Sequence, residues 1–91
     1  MGHEDDSGRA ALVARLSRAE GQIRGVKKMM EEGRECIEVL RQLAAIEGAL
    51  HSVAKTIITR HLGGCLDEAM ASNRDPKQVT AELTEIFARF L

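Results

Sequence analysis

Apolar residues return at Leu12, Leu16, Ala19, Ile23, Val26 and Met30, spaced by three and four, with mostly charged residues between them. That period marks one face of an α-helix. Ser7 or Asp6 suits its start, and Gly33, after Glu31 and Glu32, suits its end. A second apolar seam runs through Ile37, Leu40, Leu43, Ala44, Ala45, Leu50, Ala54, Ile57 and Ile58. Leu66, Ala69 and Met70 resume it, so the pattern predicts one helix from Glu35 to about Ala71, carried across Gly63 and Gly64. Asn73-Arg74-Asp75-Pro76 breaks the pattern, with Asp75 fit for the N-cap and Pro76 for the first position of a third helix. Val79, Leu83, Ile86, Phe87 and Phe90 form the apolar side of that helix.

The chain therefore reads as all-α. Residues 1–7 are polar and are expected to be a disordered tail, with 8–91 forming one helical domain. Gly21 and Gly25 each weaken the first helix by about 1 kcal/mol relative to Ala, which points to close approach of another backbone. Ninety-one residues with 44% hydrophobic content and only Phe87 and Phe90 as aromatics make a thin core. Helices meeting across an oligomer interface are the expected remedy.

No apolar run approaches the roughly 18 residues of a membrane span. The start, MGHEDDSG, is acidic and does not resemble a secretion signal. Two cysteines in that setting read as cytoplasmic thiols rather than a disulfide. The net charge of −1 hides an asymmetry: Arg9, Arg15, Arg18, Arg24, Lys27 and Lys28 stand against Glu20 alone. A local balance of about +5 is either a nucleic-acid footprint or a solvated face paired with acidic neighbours.

Cys36, His61 and Cys65 carry the candidate chemistry. His61 and Cys65 are one helical turn apart and share a face. Cys36 precedes His61 by a spacing that returns to nearly the same face, but roughly 37 Å along the axis. One chain cannot join the three, whereas two antiparallel copies crossing near Ala49 and Leu50 put Cys36 of one beside His61 and Cys65 of the other. Two thiolates and an imidazole suit trigonal Cu(I); zinc would want a fourth ligand, and nickel more nitrogen or oxygen. Taken singly, each cysteine also fits an inert small hydrophobe. No phosphate loop, GxSxG elbow or HExxH motif supports catalysis, and no helix-turn-helix or zinc-finger spacing is present.

The segments RLSRAEGQIRGVKKMMEEGREC (Arg15 to Cys36), LRQLAAIEGAL (Leu40 to Leu50) and HLGGC (His61 to Cys65) closely resemble the CsoR/RcnR family of bacterial metal- and thiol-responsive repressors. The resemblance spans about residues 9 to 91. It implies a three-helix protomer, an antiparallel four-helix-bundle dimer and a dimer-of-dimers homotetramer. It also implies apo-protein bound to operator DNA and released by its inducer, with no enzymatic activity. Copper-sensing members use a Cys and a partner's HxxxC, which Cys36, His61 and Cys65 match. They often pair a Tyr before the first Cys and a Glu on the third helix with the ligand His; here Glu35 replaces the Tyr and Glu82 matches the Glu. Sensors of Ni(II) and Co(II) similar to RcnR have His in place of the last Cys and add an N-terminal His. Some nickel sensors keep the Cys/His/Cys set with that added His, which makes His3 a candidate extra ligand. Persulfide sensors keep both cysteines and lack the His, so His61 argues against that reading. Formaldehyde sensors use an N-terminal proline and lack the last Cys, and Gly2 and Cys65 disagree. Arg15 and Arg18 match the DNA-contacting surface of the first helix, and Lys55 is a further candidate on the second. The resemblance thus implies a Cu(I)-responsive cytoplasmic repressor, with nickel/cobalt- or persulfide-responsive relatives as alternatives. A copper buffer or carrier without a DNA role is the alternative of another class.

Overall fold

A computed structural model describes residues 6–90 of the chain, and His3 lies outside them. These residues form four helices and no strand: α1 (Asp6–Glu31), α2 (Cys36–Arg60), α3 (Leu62–Ala71) and α4 (Pro76–Phe90). The helical class expected from the periodicity holds. Two boundaries differ. The first helix starts at Asp6, inside the stretch read as a tail. The long second helix is interrupted at His61, which makes four helices where three were expected. Among the described residues no helix is long and apolar enough to cross a membrane.

The chain divides into two compact units, Ser7–Val53 and a second beginning at Ala54. In the first, α1 and the leading part of α2 run antiparallel around a turn at Gly33. Gly33 adopts φ +70°, its amide donates to Met30 O (3.1 Å), and the Arg34 amide donates to Met29 O (2.9 Å). This pair of bonds is the Schellman closure that lets a helix end in a left-handed residue. The hairpin buries Leu12, Ala19 and Val26 from α1 and Ile46 and Val53 from α2. Each set is spaced by seven, the repeat of helices packed at a shallow angle. Four residues further along each helix lies a second apolar set, Leu16, Ile23 and Met30 on α1 and Leu50 on α2, joined by Leu43; all of these are exposed. The hairpin thus satisfies one apolar stripe internally and presents another to its surroundings.

Gly21 and Gly25 have no backbone approaching them. A Cβ at Gly21 would meet only the Arg24 guanidinium at 3.6 Å, and one at Gly25 nothing within 4 Å. Among the described residues of the single chain, no other backbone makes the close approach expected at these glycines.

In the second unit, the end of α2 leads through His61 into α3, which packs against α4. Ser72 and Asn73 close α3 by donating to Ala69 O (3.3 Å) and Met70 O (3.1 Å), and Asn73 takes φ 57°. Asn is among the few non-glycine residues that tolerate this region. Asp75 then caps α4 as expected: its Oδ1 accepts the Lys77 amide at 3.0 Å, and Pro76 is the first helical residue. Val79 is buried, and Leu83, Phe87 and Phe90 line an apolar groove with residues of α2 and α3.

Candidate metal centre and nucleic-acid interface

His61 sits at the junction of α2 and α3 with φ −120° and ψ 7°. One residue leaves helical geometry there and the hydrogen-bond ladder is interrupted across it, with His61 bonded to both sides: its amide donates to Ile57 O (2.9 Å) and its carbonyl accepts the Cys65 amide (3.1 Å). Gly63, next to the junction, has nothing within 4 Å of where a Cβ would stand. The result is a kink rather than a turn. It leaves His61 only 5% exposed, the one buried polar residue among those described.

Cys65, one turn on, is half-buried and its thiol is free of any disulfide. It lines an apolar groove of about 220 Å³ with Ala54, Ile57, Ile58, Leu62, Leu83, Ile86, Phe87 and Phe90. A thiol in an apolar groove and a buried imidazole are thereby carried one turn apart by one backbone segment.

Cys36 is the first residue of α2 and is exposed. The preceding Glu35 offers its carbonyl to the Val39 amide (3.2 Å), so it opens the helix as the residue half inside it. An exposed ion pair between Arg34 Nε and Glu38 Oε2 (3.0 Å) spans the same turn. Cys36 borders a second groove, about 390 Å³, with Met30, Arg34, Val39, Leu40 and Leu43. It therefore lies on the exposed apolar flank of the hairpin, next to Leu40 and Leu43. Among the described residues no three His, Cys, Asp or Glu side chains come close enough in one chain to hold a metal ion.

Glu82, on α4, is paired with Arg74 in the preceding turn, and both side chains are partly exposed. This ion pair ties the start of α4 to its middle.

The basic residues of α1 form a different surface. Arg15 is half-buried and its Nη2 donates to Ser52 Oγ on α2 at 2.7 Å. Arg15, Arg18, Gln22, Ala49 and Ser52 line a polar groove of about 320 Å³. Lys55 is exposed, and its carbonyl accepts the Thr59 hydroxyl at 2.9 Å. Ser52 and Gln22 were not singled out by sequence reasoning, and Ala49 only as a point where two copies would cross. A signal for them existed: Arg15 and Ser52 are equally far from the Gly33–Arg34 turn, so an antiparallel hairpin sets them opposite each other.

The sequence profile of a family described as "Metal-sensitive transcriptional repressor" matches residues 8–89. The copper-sensing transcriptional repressor CsoR of Bacillus subtilis (strain 168) is 32% identical over 90 residues, spanning 99% of this chain and 88% of that protein. The solved structure of the copper-sensing repressor CsoR with Cu(I) from Geobacillus thermodenitrificans NG80-2 aligns with a TM-score of 0.74 at 34% identity, covering 99% of this chain and 93% of that one. The structure of the nickel-responsive transcriptional regulator InrS aligns with a TM-score of 0.62 at 50% identity, covering 90% and 91%.

Proposed function

The chain belongs to the family of metal-sensitive transcriptional repressors, and from that premise we propose that its metal-free form holds operator DNA and lets go when Cu(I) is bound by Cys36 of one protomer and His61 and Cys65 of another. Its family is one of repressors, not enzymes. The observation that carries the reading is the kink at His61, which pairs a buried imidazole with a thiol one turn away in an apolar groove. Soft thiolates with one imidazole in water-poor surroundings fit Cu(I) well, and the set is too small for an ion that wants four or more ligands. Cys36 supplies the third donor from the exposed apolar flank, the surface through which a second copy would pair. A dimer, and a tetramer built from two of them, is the assembly this reading requires.

On the DNA side, Arg15 and Arg18 lie three apart on α1, on one face of the helix, and Lys55 adds charge on α2. These residues would meet phosphates, which position a protein on a duplex without reading its bases. If metal and DNA favour different conformations of the same assembly, each weakens the other's binding by the same factor. Glu82 is proposed to orient His61 in the metal-bound form, and Glu35 stands beside Cys36.

One observation favours a second inducer. The nickel-responsive InrS shares 50% identity with this chain over 90% of its length, so Ni(II), with His3 as an added ligand, is the alternative. Operator release followed by fluorescence anisotropy, with Cu(I) and Ni(II) titrated separately, tests both. Release at one Cu(I) per protomer, with X-ray spectra reporting two sulfurs and one nitrogen, supports copper. Release by Ni(II), reduced by His3→Ala, selects nickel. Release by neither ion but by a persulfide would transfer the response to Cys36 and Cys65.

A further inference from the structure

We infer that Met30 and Cys36 form a capture site for Cu(I) within a single chain, two sulfur donors that take up the ion before the imidazole and thiol of another protomer close on it. The use made of the site rests on the copper reading above. The pairing of the two sulfurs does not, since it lies within one hairpin.

Both side chains line the same groove of about 390 Å³, together with Arg34, Val39, Leu40 and Leu43. Met30 is the penultimate residue of α1 and Cys36 the first of α2. The turn between them is pinned at both ends. The Gly33 amide donates to Met30 O (3.1 Å) and the Arg34 amide to Met29 O (2.9 Å), while Glu35 O accepts the Val39 amide (3.2 Å). The two donors are therefore presented from a hydrogen-bonded turn. Met30 is 66% exposed, and Cys36 is exposed and in no disulfide.

A thioether and a thiolate are soft donors, and the pair selects Cu(I) over ions that favour oxygen or nitrogen. Leucine would serve an apolar flank equally well, as Leu40 and Leu43 do; methionine differs by its sulfur. The charge in the groove does not oppose a cation, because Arg34 Nε is paired with Glu38 Oε2 at 3.0 Å. On binding, the Cys36 thiol gives its proton to solvent and the thioether stays neutral. At handover the partner's His61 imidazole and Cys65 thiolate replace the Met30 thioether, and the Cys65 proton also goes to solvent. The copper remains Cu(I) throughout. A neutral thioether is a donor that such a displacement can remove.

The test uses the full-length protein carrying His61→Ala and Cys65→Ala together, which keeps only the proposed pair. Supplied with Cu(I) from a chelator, it should bind the ion more weakly than the wild type, with X-ray spectra reporting two sulfurs. Adding Met30→Leu should lower that count to one sulfur and weaken binding further. Leucine keeps the apolar bulk, so the mass by light scattering and the metal-free operator affinity should not move with it. A second measurement needs neither His61 nor Cys65 altered: Met30→Leu alone should slow Cu(I) transfer from the chelator several-fold in stopped flow, and leave Ni(II) uptake at its wild-type rate. One sulfur in the double variant, a sulfur count that Met30→Leu does not change, or an unchanged transfer rate would each overturn the capture site while leaving the repressor reading intact. A wild-type spectrum without two sulfurs and one nitrogen, beside a double variant that does show the Met30 sulfur, would overturn the copper reading and leave the capture site standing.

Discussion

The Cys65 amide donates to the His61 carbonyl at 3.1 Å across a kink whose other side is held by the His61 amide on Ile57 O at 2.9 Å. The register between His61 and Cys65 is therefore set by the first backbone bond of α3, and His61 is tied to α2 by its own amide. In the proposed site these two residues would form a two-donor platform on one chain, and Cys36 would be the donor brought to it by another.

That division predicts complementation. Cys36→Ala and Cys65→Ala should each abolish tight Cu(I) binding alone. Mixed into heterodimers, they should regain up to one intact site per dimer, counted by competition with a Cu(I) chelator. Proven heterodimers that bind no better than either parent would show that the three ligands do not come from opposite chains.

The exposed apolar flank of the hairpin predicts assembly through it. Leu50→Glu places a charge among Leu43, Leu16 and Ile23, which are exposed in the single chain. Light scattering should report the mass of one chain for this variant and a multiple of it for the wild type. Burying the charge between copies would be strongly unfavourable, so an unchanged mass would assign the interface to another surface.

Two glycines should respond with opposite signs to the same substitution. Gly25 lies inside α1 with open space around it, so Gly25→Ala should stabilise by about 1 kcal/mol. Gly33 closes α1 at φ +70°, and Gly33→Ala should destabilise by about 1–2 kcal/mol because a Cβ is crowded in that conformation. Thermal melts of the two variants should move to either side of the wild type. A drop for Gly25→Ala would point to a partner packed on that face.

Glu82 and Arg74 separate transmission from stability. Their ion pair is partly exposed on both sides, so breaking it should cost no more than about 1 kcal/mol. If Glu82 orients His61 when metal is bound, Glu82→Ala should keep near-normal Cu(I) affinity and lose much of the operator release. Arg74→Ala should release normally. Equal behaviour of the two variants would reduce Glu82 to an element of α4.

The ends of the helices were legible because each is specified locally. Gly33 supplies the left-handed residue, and Asp75 with Pro76 supplies a cap and a compatible first residue. The break at His61 was passed over: Gly63 and Gly64 signal it, but an interruption of one residue shifts the apolar period too little to outweigh the seam resumed at Leu66, Ala69 and Met70. The glycines of α1 find no neighbouring backbone within the single chain, and sparse side chains look the same in sequence whether the space is filled by the same chain, by a second copy or by nothing. The residues carrying the candidate metal chemistry could be picked out from spacing, whereas Ser52 could not be weighed until α2 was laid against α1, since its partner Arg15 is distant in the chain.

Arg15 and Gln22 each precede by one residue the apolar Leu16 and Ile23, about 100° around α1, and on α2 Ala49 stands in the same relation to Leu50. The hairpin is thus two-edged, greasy along one border and guanidinium-bearing along the other. If copies join by the first border and DNA meets the second, as proposed, the second border would repeat at a fixed interval and each added copy would grip the same duplex at a raised effective concentration. Occupancy of a promoter would then rise steeply with the amount of protein, and a cell could set its threshold for repression by how much of this chain it makes, independently of any inducer.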